Sequence, residues 1–248
     1  MKDSLTKFSQ CMALGKYAAA QMILTAHRED VEKFFGPEHP AYLSVENNQA
    51  LLFKMNGNVN EAMSIFQRVI ERYRNYYGED HPSLINAIVN YANVLKDAKE
   101  YQKSVEYFER AIDARKRTEG EDSLNYAMAK AMAAGAYREL GEYVKADLYL
   151  KDAYLKVALE YGEEHISAAA ILNSQGMLYK KQGKFERALD SYERSLQIKI
   201  NHFGEDHPET CATRHNIGEV YVHLNRPEKA QEMFNLNVES MEKRSKEE

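Results

Sequence analysis

Two cysteines, Cys11 and Cys211, stand 200 residues apart in this chain of 248, too few and too distant for a disulfide framework or the paired spacing of a zinc site. They point to a reducing compartment. No apolar run approaches the ~20 residues that a membrane-spanning helix needs. Residues 1–14 show neither the apolar stretch of a secretory leader nor the arginine-rich character of a transit peptide. A basic surplus is missing too: the net charge is −5 and the pI is near 6.0, which excludes the cationic footprint of a nucleic-acid binder. The chain contains no Gly-x-Ser-x-Gly elbow and no phosphate loop, and neither cysteine sits in a recognisable catalytic motif. No stretch alternates as a strand does. Glycine is scarce outside three recurring positions, so that of 12 glycines only Gly135 lies elsewhere.

Those positions organise the sequence. Tyr77-Gly78-Glu79-Asp80-His81-Pro82, shifted by 42 residues, lands on Phe35-Gly36-Pro37-Glu38-His39-Pro40 behind it. Ahead lie the degraded Glu119-Gly120-Glu121-Asp122-Ser123-Leu124, then Tyr161-Gly162-Glu163-Glu164-His165-Ile166 and Phe203-Gly204-Glu205-Asp206-His207-Pro208. A fixed period of this size is an array of repeats. The hexapeptide has the chemistry of a helix stop followed by a helix start: glycine for a left-handed C-terminal cap, acidic residues, then proline where its missing N–H costs nothing. A second joint recurs at the same offset, as in Gly57-Asn58-Val59 with Ala62 and Gly183-Lys184-Phe185 with Ala188.

Between the joints the columns are helical. Ala50, Ala92, Ala134, Gly176 and Gly218 form a small-residue column where a first helix admits the second. In the second helices Phe66, Phe108, Leu150, Tyr192 and Phe234 form one bulky column, and Ile70, Ile112, Tyr154, Leu196 and Val238 another four residues on, which places both on one helical face. The pattern predicts helix pairs at 3–14 with 17–35, 41–56 with 59–77, 83–98 with 101–119, 125–140 with 143–161, 167–182 with 185–203, and 209–224 with 227–246.

The small-residue column, the Gly-x-aromatic turn and the second small residue together resemble the tetratricopeptide repeat. The 42-residue period with Gly-x-x-His-Pro is similar to the repeats of kinesin light chains and nephrocystin-like proteins, as are Asn47-Asn48-Gln49-Ala50-Leu51-Leu52, Asn90-Tyr91-Ala92 and Asn216-Ile217-Gly218. The heptad coiled coil that joins the light chain to its heavy chain does not occur in this sequence. The resemblance implies an all-α fold, an α-solenoid wound as a right-handed superhelix of about six repeats, with residues 1–248 as one array. It also implies that the first helices line a concave groove. The groove positions are then Asn47, Leu51 and Lys54; Val89, Asn93 and Lys96; Met128 and Arg138; Asn173, Met177 and Lys180; and His215.

Lys54, Lys96, Arg138 and Lys180 share one column, a cationic row in an acidic protein. Cations at helix C-termini favoured by the macrodipole explain the same row without a ligand; a cationic groove explains it with one. The histidines do not form a metal site, since His39, His81, His165 and His207 stand one per repeat, about 10 Å or more apart. Neither metal nor cofactor is expected.

These residues point to a non-catalytic scaffold or adaptor that holds an extended, acidic partner peptide in its groove. The alternative is a structural subunit of a ciliary, cytoskeletal, motor or mitochondrial respiratory assembly, contacting neighbours through its edges and ends. An enzyme would need a convergent polar site that the sequence does not offer. The partner is protein, not nucleic acid, with no membrane insertion, and the setting is cytoplasmic, or mitochondrial or ciliary within a complex. Leu5, Phe8, Cys11 and Met12 put apolar residues on a first helix with nothing before it, so Phe8 and Met12 are expected to be covered by a second copy or another protein, giving homo- or hetero-assembly through the N-terminal helix. The alanine-rich run from Tyr126 to Gly135 predicts a change of curvature and the weakest exchange protection in the pair 125–161.

Overall fold

Each 42-residue period becomes two helices joined by a tight turn. A computed structural model describes residues 2–13, 15–37 and 39–247, with residues 2, 3, 13, 246 and 247 described by backbone alone. Among the described residues there are twelve helices and no strand. They are α1 (Lys2–Ala13), α2 (Tyr17–Phe35), α3 (Pro40–Met55), α4 (Val59–Tyr77), α5 (Pro82–Asp97), α6 (Tyr101–Glu119), α7 (Leu124–Glu139), α8 (Tyr143–Tyr161), α9 (Ile166–Lys181), α10 (Phe185–Phe203), α11 (Pro208–His223) and α12 (Pro227–Glu247). Most second helices span the residues that the pattern marks. The first helices start and stop one residue earlier than expected.

For α3, α5, α7, α9 and α11 the early start follows from the capping residue, a histidine in four of them and Ser123 in α7. His39, His81, His165 and His207 are the N-caps themselves, so the next residue is already helical. Each Nδ1 accepts the backbone N–H two residues on, from Ala41 at 3.1 Å and from Ser83, Ser167 and Glu209 at 3.2 Å. An accepting Nδ1 leaves the proton of the neutral ring on Nε2. Each ring also stacks on the aromatic that ends the preceding helix: Phe35 at 4.7 Å, Tyr77 at 3.9 Å, Tyr161 at 4.6 Å and Phe203 at 4.2 Å between centroids. The aromatic and the histidine therefore act as one device that closes one helix and opens the next.

The joint at 119–124 lacks that device. Ser123 replaces the histidine, its Oγ accepting the Tyr126 N–H at 3.4 Å, and Glu119 stands where the aromatic would be. The chain divides into two compact units at this joint, Met1–Glu121 and Asp122–Glu248.

The other joint is a Schellman turn repeated six times. In α3, for example, the Asn58 N–H reaches the Phe53 carbonyl at 2.8 Å and the Gly57 N–H reaches that of Lys54 at 3.0 Å. This geometry puts the residue after the cap at positive φ, 80° at Gly57, where a side chain is strained. Lys99 and Asn225 nevertheless occupy it, at 63° and 55°.

In the first unit α3 packs on α2 and α4, and α5 on α4 and α6; in the second, α9 packs on α8 and α10, and α11 on α10 and α12. The small-residue column sits against the bulky one. A Cβ built on Gly176 would lie 2.6 Å from the Tyr192 ring, and one on Gly218 would lie 2.4 Å from Phe234. Phe66, Phe108, Leu150 and Tyr192 are fully buried. Val238, expected in the companion column, is exposed.

The apolar residues of α1 correct an expectation. Phe8 is buried among Leu24, Tyr42 and Val45 of its own unit, with Met12 packed partly against the same cluster. The second and third helices cover them from the inside, so the N-terminal helix offers no bare Phe8 for a partner. At the C-terminal end α12 is held by polar contacts: the Ser240 hydroxyl donates to Asp206 at 2.7 Å, and buried Arg214 donates to the Ser240 hydroxyl at 3.4 Å.

Candidate interaction surfaces

The two faces built by the first helices belong to separate units and differ in what they leave available. In the first unit the face is made by α3 and α5. The Asn90 side-chain amide donates to the Asn47 Oδ1 at 3.3 Å, joining the two helices. Lys54 pairs with Asp97 at 3.0 Å. The Asn93 amide donates to the Val89 carbonyl at 3.1 Å, and Lys96 donates to Asn93 Oδ1 at 3.1 Å. Leu51 is half-buried beside them. Val89 is fully buried, so as a side chain it leaves the expected surface; helix packing, not the groove, claims that column in α5.

In the second unit α7, α9 and α11 build the face. The Asn216 amide donates to Asn173 Oδ1 at 3.4 Å, repeating the bond of the first unit three periods on in register. Lys180 pairs with Glu219 at 2.7 Å, and His215 Nε2 lies 3.8 Å from the same carboxylate. Arg138 pairs with Glu139 at 2.9 Å, and Lys181 reaches Glu139 at 3.3 Å from the neighbouring helix. Arg138, Glu139, Met177, Lys180 and Lys181 together line a hollow of about 390 Å³. Three of the residues expected from sequence, Arg138, Met177 and Lys180, are thus brought to one place. Met128 is half-buried and His215 exposed; neither lines this hollow.

The cationic row is not bare. Every member has a partner, and for Lys54, Arg138 and Lys180 it is a carboxylate. Partial burial works against the charge of Glu139, but hydrogen bonds and charge from Arg138 and Lys181 outweigh it and hold the carboxyl below its ordinary range. The hydrogen bond from Lys180, followed by its charge, does the same for Glu219 against the opposing effect of burial. Both stay ionised at neutral pH. The hollow therefore combines three cations with one lining carboxylate and an apolar floor at Met177.

Sequence columns missed Lys181, Glu139 and Asn216 as members of this surface. The signal was present one place away: Glu139 and Lys181 are separated by one 42-residue period and carry opposite charges.

In the first unit a larger hollow of about 410 Å³ lies elsewhere, lined by Arg28, Tyr42, Glu46, Gln49, Phe53 and Arg68 among others. Glu46 there pairs with Arg68 at 2.6 Å and Arg72 at 3.0 Å, so its polar wall is already satisfied. Among the described residues no three His, Cys, Asp or Glu side chains converge as a metal site, and no helix is long and apolar enough to cross a membrane.

Helix pairs of fixed length, with a small-residue column under a bulky one and a Schellman turn in each, define an α-helical repeat protein whose working parts are its faces. The chain belongs to the tetratricopeptide repeat family, whose profile matches residues 9–75, 43–115, 83–154 and 167–243. Among solved structures, BtubC (BKLC) from P. vanneervenii is 21% identical with a TM-score of 0.70, covering 94% of this chain and 92% of that one. A putative kinesin light chain from Podosopora anserina with nearly identical repeats is 21% identical at a TM-score of 0.65, over 83% of this chain and 97% of that one. NprR, a quorum sensor known from B. thuringiensis, in complex with its cognate peptide NprX is 16% identical at a TM-score of 0.72, over 98% of this chain and 67% of that one. Structural likeness at these identities shows a shared fold alone. No curated protein sequence matches the chain. The fold is that of a protein-interaction scaffold.

Proposed function

We propose that the protein is a non-catalytic adaptor that holds an extended, acidic segment of a partner protein on its first-helix faces, and that it does so in a reducing compartment, consistent with its two free thiols. The observation that carries this reading is the hollow lined by Arg138, Met177, Lys180 and Lys181. A partner carboxylate entering it competes with Glu139 for Arg138 and Lys181, and forms charge-assisted hydrogen bonds of about 1.5–3 kcal/mol where water is excluded. Met177 supplies an apolar contact for the neighbouring partner side chain. Along the face, the bonded pair Asn173 and Asn216 keeps amide donors and an acceptor for a peptide backbone. Asn47, Leu51, Lys54, Asn93 and Lys96 offer related chemistry in the first unit, with Lys54 more tightly engaged by its own carboxylate. That a protein of the same fold binds a cognate peptide supports the reading.

A peptide-display selection against the full chain tests it. Bound sequences are expected to be enriched in Asp and Glu next to an aliphatic residue, with affinity falling as salt rises. The R138Q/K180Q/K181Q variant is expected to keep its helical signal and to bind the selected peptides at least tenfold more weakly. Selection of neutral or basic peptides, or unchanged affinity in the triple variant, overturns the proposal. A second reading, a subunit built into an assembly, is favoured by one observation: α8 carries large aliphatic side chains on its exposed side.

A further inference from the structure

The first repeat breaks a column that the others keep. One 42-residue period before Ile70, in the column that continues as Ile112, Tyr154, Leu196 and Val238, stands Arg28 of α2. In α3, Glu46 likewise stands where α5 carries Ile88. Ile70 and Ile88 are both buried. Their charged counterparts Arg28 and Glu46 instead line the hollow of about 410 Å³ in the first unit. A charged residue in an apolar column gives up packing that the other repeats keep, and such a break in a local rule is expected where a site needs it.

The polar lining is almost all spent within the protein. Gln49 exchanges amide hydrogen bonds with Gln21 at 3.1 and 3.3 Å, and the Glu46 carboxylate holds Arg68 and Arg72. Arg28 has neither a hydrogen bond nor an ion pair among the described residues; its guanidinium lies 5.6 Å from the centroid of the Tyr42 ring, over its face. Two cations, Arg28 and Arg68, line the hollow against one carboxylate, which leaves a single positive charge in excess. The remaining wall is apolar, with buried Tyr42 and Val45 and half-buried Phe53 and Ile65.

We propose that this hollow binds a small organic acid, with its carboxylate on Arg28 and an apolar body about as large as a phenyl ring between Tyr42, Phe53 and Ile65. A guanidinium resting on an aromatic face is presented as a planar fork, which matches a carboxylate with two parallel hydrogen bonds. Apolar walls with one or two placed polar groups, in a volume of about 300–1,000 Å³, are the mark of a small-molecule site. The hollow lies at the low end of that range, which suits a single ring with a short acidic arm. A peptide running through it would need backbone partners along the wall, and Gln49 and Glu46, which could supply them, are already engaged. The site shares no residue with the first-helix faces, so it and the peptide reading stand or fail separately.

Isothermal titration of the full chain with 3-phenylpropionate, 3-phenylpropionamide and 3-phenylpropylamine tests the assignment. The acid is expected to bind at one site, the amide at least tenfold more weakly and the amine not measurably. R28Q weakens the acid at least tenfold and leaves the amide unchanged. R28I, which restores the residue type of the column, abolishes binding of both while the circular dichroism spectrum stays helical and the thermal midpoint rises. No binding of the acid at millimolar concentration, equal affinity for acid and amide, or an R28Q variant that binds the acid as the unaltered chain does overturns the proposal. A tripeptide with a free C-terminal phenylalanine carboxylate that binds at least tenfold more tightly than 3-phenylpropionate, and loses that affinity in R28Q, overturns it as well, by giving the hollow to a chain terminus.

Discussion

Within the second unit, α7 with α8 and α9 with α10 are the same construction filled in opposite ways. Between α7 and α8 the buried residues are mostly alanines: Ala127, Ala129, Ala133, Ala134 and Ala136 on one side, Ala146 and Ala153 with Leu150 and Val157 on the other. Between α9 and α10 the interior is large, with Leu172, Leu178, Tyr179, Tyr192 and Ile198, and a glycine is needed to admit Tyr192. The first pair turns its big aliphatics outward on α8; the second keeps charge there. The difference teaches that position on the helix, not side-chain type, decides burial. A leucine two places from the core is surface, and an alanine in the right column is core.

The sharpest way to break this comparison is on α8 itself. Leu150→Ala is expected to cost about 2–5 kcal/mol, because a fully buried side chain is lost and a cavity remains. Leu148→Ala, two residues away and exposed, is expected to change stability by less than about 0.5 kcal/mol. Urea unfolding followed by circular dichroism at a concentration where the chain is monomeric separates the two. Equal losses would mean that the outer leucines are part of the fold.

The next effect concerns the small column. Gly176→Ala forces a methyl against the Tyr192 ring and is expected to cost about 1–3 kcal/mol by overpacking. In the alanine-filled pair the opposite change, Ala134→Gly, is expected to cost about 1 kcal/mol through helix propensity. If Gly176→Ala is neutral in the same unfolding assay, the second pair is packed no more tightly than the first.

A pH series sharpens the contrast between the serine cap of α7 and a histidine cap. α7 starts on Ser123, which does not titrate near neutrality, whereas α11 starts on His207. Burial lowers the affinity of His207 for a proton below the ordinary value of 6.5, with Arg244 and Lys199 adding to the effect and Glu209 opposing it. Because the unfolded chain then takes up the proton more readily, this contribution to stability is complete above about pH 6.5 and declines as pH falls from there towards the lower folded value. Protonation also fills the Nδ1 that accepts the Glu209 N–H. His207→Asn, which retains a cap, is expected to flatten that part of the profile of thermal midpoint against pH. An unchanged slope would assign the acid sensitivity to other groups.

The smallest effect expected is a gain. The Tyr192 hydroxyl is buried without a hydrogen-bond partner among the described residues, and burial pushes its ionisation far up. Tyr192→Phe is expected to be neutral or to stabilise by up to about 1 kcal/mol. A loss of more than that in the unfolding assay would show that the hydroxyl is satisfied by water.

The same contrast explains what was legible in the sequence. Helix pairs, joints and the bulky column under Ala50 or Gly176 could be read because each position recurs, so five imperfect copies average into one clear pattern. Averaging is also what hid the α8 stripe, since Val144, Leu148, Leu155 and Leu159 have polar counterparts in most repeats and vanish in a column. The cationic row was visible as residues but not as a surface. Whether Lys54 stands alone or against Asp97, and whether Lys180 meets Glu219, depends on how side chains reach across a helix pair, which spacing along the chain does not encode. Phe8 was misjudged for a related reason: its cover comes from α2 and α3, which follow it in sequence.

The histidine joint bears on descent. Because the stacked aromatic and the capping imidazole are both carried within five consecutive residues, as in Tyr77 to His81, a segment copied or excised in steps of one period brings its own working hinge at each seam. Gene duplication can lengthen such a chain without inventing a new connection. A surface carried by one copy, as the aliphatic row is by α8, is then free to be multiplied, moved along the array or erased by a single recombination, while the framework that carries it is kept.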